Sequence, residues 1–351
     1  MCTRRHVHTV CCLLPPHILH ALSKNGTAQQ KKDAQRTLTI DAKARAKRTA
    51  HSKQPLAAPA ATKALKRTIY DGGKSETLPG RPVRGEGAAP SKDTAVNQAY
   101  EGLGATFKFY LEILGRNSID GKGMAIDATV HHGDPYSNAQ WTGTEMIFGD
   151  GDGTTFRGFT TALDVIAHEL SHGVTRHEAN LAYHGESGAL CESFSDVMAS
   201  LVKQYKFGHD VKKADWLIGK GMLVPFPDQA FRSLKVPGTA YDNKLTHKDP
   251  QPAKMSDFVH TTEDDGGVHI NSGIPNRAFY LVAEALGGHA WEKAGRIWYD
   301  TICDPKLRAT ATFVEFAART AFNASKRYGG GSHEQKAVAN AWKEVGVTPL
   351  Q

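Results

Sequence analysis

Cysteine is scarce and irregularly placed, at Cys2, Cys11, Cys12, Cys191 and Cys303. With no recurring spacing among them, a disulfide framework is excluded as the basis of the fold. No apolar run approaches the ~20 residues that a membrane-spanning helix requires, so no membrane span is expected. Aromatic residues are missing before Tyr70, and acidic ones nearly so. Residues 1–70 carry 14 Lys and Arg against Asp33 and Asp41, a net of +12, which leaves −5 for the remainder of a chain whose total is +7. A basic leader thus precedes a mildly acidic body. Without aromatic side chains, and with no helical stripe of charge, the leader is not expected to bind nucleic acid; docking on the body explains the asymmetry better. Arg4-Arg5 begins like a secretory signal, but the apolar run from Val10 stops at Pro15-Pro16, too short for one. The expected location is therefore either outside the cell by a non-standard route or the cytoplasm.

At 351 residues the chain accommodates about two domains and a tail. Leu13-Leu-Pro-Pro-His-Ile-Leu19 is a compact apolar knot in polar surroundings and reads as a plug that docks on the body. Residues 23–66 hold too few large apolar side chains to form a core alone, although 30–48 can be helical when docked, and 54–62 reads as a Pro/Ala linker. A strand is expected from Arg67, then a long helix over 93–114, then antiparallel strands over 124–131 and 140–149. Beyond Phe159 the periodicity is helical, over 160–177, 187–206, 272–286, 289–302, 310–325 and 333–345. The implied class is α+β. A sheet-bearing N-terminal half and an all-helical C-terminal half would meet at a cleft.

The stretch 164–196 carries the chemistry. His168 and His172 stand four apart, so a helix places both imidazoles on one face, able to share a metal ion. Glu169 is rotated away from that pair and suits a base acting on metal-bound water. Glu192, in the next apolar-periodic stretch, is the candidate third ligand, and Asp196 one turn later is placed to orient a liganding histidine. Solvated acids on a helix face are the plain alternative, but Ala189, Leu190, Phe194 and Val197 flank these two. Further on, Gly266-Gly267 permits a turn that aims His269 inward, where Asp264 can hold its ring and an imidazolium can stabilise an oxyanion. A satisfied core histidine is the alternative there. Pro135-Tyr-Ser-Asn-Ala-Gln-Trp141 is placed to form an edge strand able to pair with an extended peptide, or an ordinary edge strand with no ligand.

Together these residues resemble the thermolysin-like zinc metallopeptidases. The Pro15-Pro-His-Ile-Leu19 motif, the short leader and Asp249-Pro-Gln-Pro-Ala-Lys-Met-Ser-Asp257 look most like the protealysin branch. The resemblance implies Zn2+ on His168, His172 and Glu192, with Glu169 as proton acceptor and His269 and Tyr183 as oxyanion stabilisers. It implies that Asn138 and Ala139 hold the substrate backbone and that Arg232 contacts the residue after the scissile bond. Phe156, Phe159, Val165 and Phe231 would line that residue's pocket, favouring cleavage before bulky apolar residues by attack of a zinc-bound water. The implied arrangement is a monomer with a pro-segment (1–67), an N-terminal catalytic domain ending in the zinc helix (68–180) and a helical domain (181–351). Its partners would be protein or peptide substrates, and its own pro-segment as intramolecular inhibitor. The rival is a silent precursor whose cleft only holds a peptide.

Two departures from that family bear on the chemistry. Cys191 stands where Asn commonly precedes the third ligand, and a thiol is the weaker hydrogen-bonding group. Lys203 stands where a calcium-bridging Glu is expected, and Lys220 at another carboxylate position. An ammonium cannot ligate Ca2+, so the paired calcium site is expected to be absent, with Lys203 or Lys220 paired to Asp164. Cys11 or Cys12 could cap the zinc through a thiolate, or simply be small apolar residues beside the docking knot.

Overall fold

Two prolines divide the leader into an extended strip and a helical arm. The computed structural model describes residues 12–51 and 64–348; Cys2, Cys11 and the 54–62 linker lie outside them. Residues before proline favour extended backbone, and a proline at the first helical position gives up no hydrogen bond. Accordingly Cys12 forms an antiparallel bridge with Gln140 upstream of Pro15, and α1 (Pro16–Asn25) starts immediately after it. Helix α1 buries Ile18, Leu19 and Leu22 along one side. This helix was not legible as one, because the knot is too short to show a period. Helix α2 (Ala28–His51) follows, and it buries Ile40 alongside Asp33, Ala34, Thr37 and Asp41. So thin a stripe needs the body to pack against.

The body begins with a five-stranded sheet. Its strands β1 (Arg67–Asp71), β2 (Arg81–Gly85), β3 (Ile126–Val130), β4 (Ala139–Trp141) and β5 (Glu145–Phe148) lie in the order β2-β1-β3-β5-β4. The expectation of antiparallel strands needs correction. β3 runs parallel to both β1 and β5, and 140–149 is a hairpin rather than one strand. Parallel pairing needs a long crossover, and α3 (Thr94–Glu112) supplies it between β2 and β3. β4 is left as the edge strand, and the leader strip lies on it.

Helix α4 (Leu163–His177) is buried continuously from Asp164 to Thr175, and α5 (Gly185–Phe207) packs along it. A helix buried on every side carries polar residues only where they have partners, which marks the polar residues of α4 and α5 as a site. The short pairs β6 (Leu217–Ile218) with β7 (Arg232–Ser233) and β8 (Asp242–Asn243) with β9 (His247–Lys248) follow α5. The remaining helices are α6 (Asp264–Asn271), α7 (Gly273–Leu286), α8 (Ala294–Ile302), α9 (Phe313–Tyr328) and α10 (His333–Glu344). Within α6, Asp265, Gly266 and Gly267 have φ of 51°, 86° and 77°, so the first turn is left-handed before the helix proper starts. Gly188 lets α5 approach this element, since a Cβ there would lie 2.4 Å from Val268 Cγ1. Helix α8 begins at Ala294, later than its periodicity suggests. Among the described residues no helix is long and apolar enough to cross a membrane.

Candidate active site

His168 and His172 project from α4 with their Nε2 atoms 3.0 Å apart. Glu192, from α5, brings Oε2 to 3.4 Å from His168 Nε2 and Oε1 to 3.5 Å from His172 Nε2. All three side chains are buried. Glu169 also lies beside the histidine pair, with a ligand-capable atom within 4.8 Å of both. Its Oε2 accepts a 2.8 Å hydrogen bond from the Trp141 N–H of β4, while its Oε1 is buried without a hydrogen-bond partner among the described residues. Burial, with Glu192 nearby, pushes the Glu169 carboxyl up to about 8. Two buried carboxylates around facing imidazoles form a site built for positive charge.

Behind this cluster Asp196 joins several elements. Its Oδ1 lies 2.8 Å from His168 Nδ1, and it accepts a bidentate pair from Arg232 Nε and Nη2 at 2.8 and 2.9 Å. Asn276 Nδ2 donates a further bond at 2.9 Å. Burial alone would raise the Asp196 carboxyl, but Arg232 and His168 hold it down to about 2. The other ring, His172, has Ser195 Oγ 3.1 Å and Cys191 Sγ 3.4 Å from its Nδ1. The position taken by Cys191 is therefore backed by a hydroxyl one turn along the same helix.

His269 is aimed by the left-handed turn of α6. Asp264 Oδ1 lies 2.6 Å from Nδ1, and Asp264 Oδ2 accepts the His269 backbone N–H. On the other side Nε2 lies 2.9 Å from the Cys12 carbonyl oxygen and 3.3 Å from Tyr183 Oη. An acceptor at each nitrogen fits an imidazolium. Although burial opposes the charge, Asp264 and Glu192 hold the ring at about 9. The Tyr183 hydroxyl donates to Glu192 Oε1. Gln251 Nε2 donates to the His269 carbonyl and fixes the turn from below.

The rest of the cleft is occupied by the leader. Leu13 N–H donates to Ala139 O at 3.3 Å, and Leu14 N–H to Asn138 Oδ1 at 2.9 Å. The Leu13 carbonyl accepts from Arg232 Nη1 at 2.8 Å. Phe156, Phe159, Val165 and Phe231 are all buried, and the rings of Phe159 and Phe231 stack at 6.4 Å. The Cys12 thiol hydrogen-bonds Asp41 of α2, which also accepts from Tyr136 Oη at 2.7 Å and Asn138 Nδ2 at 3.0 Å. That thiol is engaged by the leader's own carboxylate, and its carbonyl is what meets His269. Cys11 lies outside the described residues.

Comparison with known proteins identifies the architecture. The profile described as the thermolysin metallopeptidase catalytic domain matches residues 19–176, and that of the alpha-helical domain matches 179–347. An extracellular metalloprotease of Pectobacterium carotovorum subsp. carotovorum is 48% identical over 97% of this chain and 98% of its own. Protease PrtS of a Photorhabdus species is 44% identical, covering 95% and 91%. The precursor of protealysin from Serratia proteamaculans superposes with a TM-score of 0.88 at 46% identity, covering 96% of this chain and all of the other. The chain belongs to the thermolysin metallopeptidase family. It is a protealysin-like metalloendopeptidase with the α+β, two-part fold of that family.

The family implies zinc, and the donors present fit it. Tetrahedral zinc ligands at ~2.0–2.1 Å from the metal lie ~3.3 Å from one another, against the 3.0, 3.4 and 3.5 Å found among His168, His172 and Glu192. Two imidazoles and one carboxylate, with Glu169 beside the histidines, would make up a typical open zinc donor set.

Elsewhere on the same pair of helices, Lys203 reaches back from α5 to the start of α4. Its Nζ lies 3.0 Å from Asp164 Oδ2, 3.0 Å from Asp215 Oδ1 and 2.9 Å from the Leu217 carbonyl oxygen. Burial opposes this ammonium, but the two carboxylates outweigh it and raise its pKa. Lys220 is exposed. Ser195, Asn276, Gln251, Asp215 and Asp41 were not singled out from sequence. Only Ser195 had a usable signal, standing one turn beyond Cys191 and between Glu192 and Asp196.

Proposed function

We propose that this metalloendopeptidase is a neutral zinc enzyme cleaving peptides on the N-terminal side of bulky apolar residues, made as a precursor silenced by its own leader. The supporting observation is the leader backbone itself. Taken in order along the leader, its carbonyl and amide groups engage His269, Ala139, Arg232 and Asn138. A peptide substrate laid antiparallel on the same edge strand would meet the same groups.

When bound to His168, His172 and Glu192, zinc supplies the Lewis acidity that makes water a nucleophile near neutral pH. Glu169 Oε1, buried in the cleft, takes the water's proton and passes it to the leaving nitrogen. The Trp141 N–H holds the other carboxylate oxygen and so fixes the direction of Oε1. His269 and Tyr183 donate to the oxyanion. Arg232, locked by Asp196, takes the carbonyl of the residue after the scissile bond, and the Phe156, Phe159, Val165 and Phe231 wall accepts its side chain. Residues 1–67 are the pro-segment, 68–180 the N-terminal catalytic domain and 181–351 the helical domain. Lys203 stands in for calcium between Asp164 and Asp215.

The test is hydrolysis of a peptide series differing only in the residue after the scissile bond. Leu or Phe is expected to exceed Gly or Asp by about 10–200-fold in kcat/KM, the span that apolar pocket contacts supply. Chelation should abolish activity and Zn2+ restore it. Equal rates across the series would remove the pocket assignment.

A further inference from the structure

The leader does more than cover the cleft, because one of its own bonds lies between the groups assigned to catalysis. The His269 Nε2 donor is 2.9 Å from the carbonyl oxygen of Cys12. One residue on, Leu13 gives its N–H to Ala139 O and takes the Arg232 guanidinium on its carbonyl. The next N–H, from Leu14, goes to Asn138 Oδ1. The group placed to stabilise an oxyanion thus touches Cys12, and the group placed to hold the following carbonyl touches Leu13. Only one peptide bond separates these two markers. A leader threaded in the opposite sense would not present its carbonyls in this order.

We propose that Cys12–Leu13 is a self-cleavage site of the precursor, cut within its own molecule. The inference rests on the roles given above to Glu169, His269 and Arg232. Water adds to the Cys12 carbonyl carbon, its proton passing to Glu169 and then to the Leu13 nitrogen as the C–N bond breaks. Cys12 becomes the terminal carboxylate of a 1–12 fragment, and Leu13 becomes the new α-amine. Leu13 meets the side-chain requirement, being apolar, fully buried and part of the same core as Phe156, Phe159 and Phe231. The Cys12 thiol does not compete for the metal, since Asp41 holds it.

Cutting this bond does not empty the cleft. Leu13 and Leu14 keep their contacts with Arg232 and Asn138, and α1 keeps Ile18, Leu19 and Leu22 buried. His17 remains 2.8 Å from Tyr241 Oη, and Asp41 keeps its bonds from Tyr136 and Asn138. The nicked leader is a product that stays bound, so the cut precedes activation rather than causing it.

The experiment follows the zinc-loaded full chain by intact mass and N-terminal sequencing over a range of protein concentrations, with peptide hydrolysis read in the same samples. A chain beginning at Leu13 is expected at a rate independent of concentration. It should be absent from Glu169→Gln, retained in Leu13→Phe and about tenfold or more slower in Leu13→Asp. Retention by Leu13→Phe guards against a Leu13→Asp chain that merely fails to dock. The proposal is overturned if residues 1–12 stay joined to Leu13 while the sample hydrolyses peptide, an outcome that leaves the enzymatic reading intact. It is also overturned if Glu169→Gln is cut equally or if the rate rises in proportion to concentration. A sample that cleaves neither itself nor peptide removes both readings together.

Discussion

Asp196 is the residue on which both halves of the site depend. It sits behind the His168 imidazole and also neutralises the buried Arg232 guanidinium that meets the leader. Asp196→Asn should lower zinc affinity about 10–100-fold, the usual loss when a carboxylate behind a liganding histidine is removed. Competition with a chromophoric chelator measures this, and an unchanged affinity would show that His168 is oriented by other groups. The same variant leaves Arg232 buried without its countercharge, so KM should rise as well. Glu169→Gln keeps an oxygen for the Trp141 N–H but cannot accept a proton. It should lower kcat by about 10²–10⁴ at unchanged zinc content. That His168, Glu169 and His172 come together was legible in sequence, because a helix converts fixed spacing into neighbouring positions. Ser195, Asn276 and Gln251 were not, because a hydrogen bond to another residue's ring or backbone depends on how separate elements pack.

At the scale of elements, an imidazole ties the start of α3 to the sheet. His131 Nε2 meets Asp93, the N-cap of α3, and its Nδ1 meets Asp150 after β5, each at 2.8 Å. The hydrogen bond that Asp150 accepts lifts the ring most; burial opposes it, Asp93 adds to it, and the pKa reaches about 9. An imidazole raised in the folded state stabilises fully below its ordinary value of 6.5. That contribution fades as pH climbs through about 9. Urea unfolding should therefore show wild type losing stability between about pH 6.5 and 9 relative to His131→Ala, and parallel curves would refute the clamp. Element types were mostly readable from period. Strand direction was not, because β3 looks the same in sequence whether its neighbours run with it or against it. The first turn of α6 was legible in part: Gly266-Gly267 announced a turn at His269, but not that a helix begins inside it.

Across the whole molecule, Lys203 joins the two buried helices of the site by tying α5 to Asp164 at the head of α4 and to Asp215 beyond. Thermal unfolding should be the same with Ca2+ and with a calcium-selective chelator. Lys203→Met should cost about 3 kcal/mol in urea unfolding, because it leaves Asp164 buried without a countercharge. A loss of stability in the chelator, reversed by Ca2+, would contradict this. Distance in sequence hid the other large-scale feature, the grip of Asp41 on Tyr136 and Asn138, since nothing local to α2 marks that carboxylate for burial. Its consequence is thermodynamic. Asn138 donates to Asp41 through Nδ2 and accepts from the leader's Leu14 N–H through Oδ1, so a peptide that needs the same side chain binds only where the leader has let go. The two events share one coupling free energy, and linkage makes it reciprocal. By whatever factor the docked arm weakens a cleft ligand, that ligand weakens the arm.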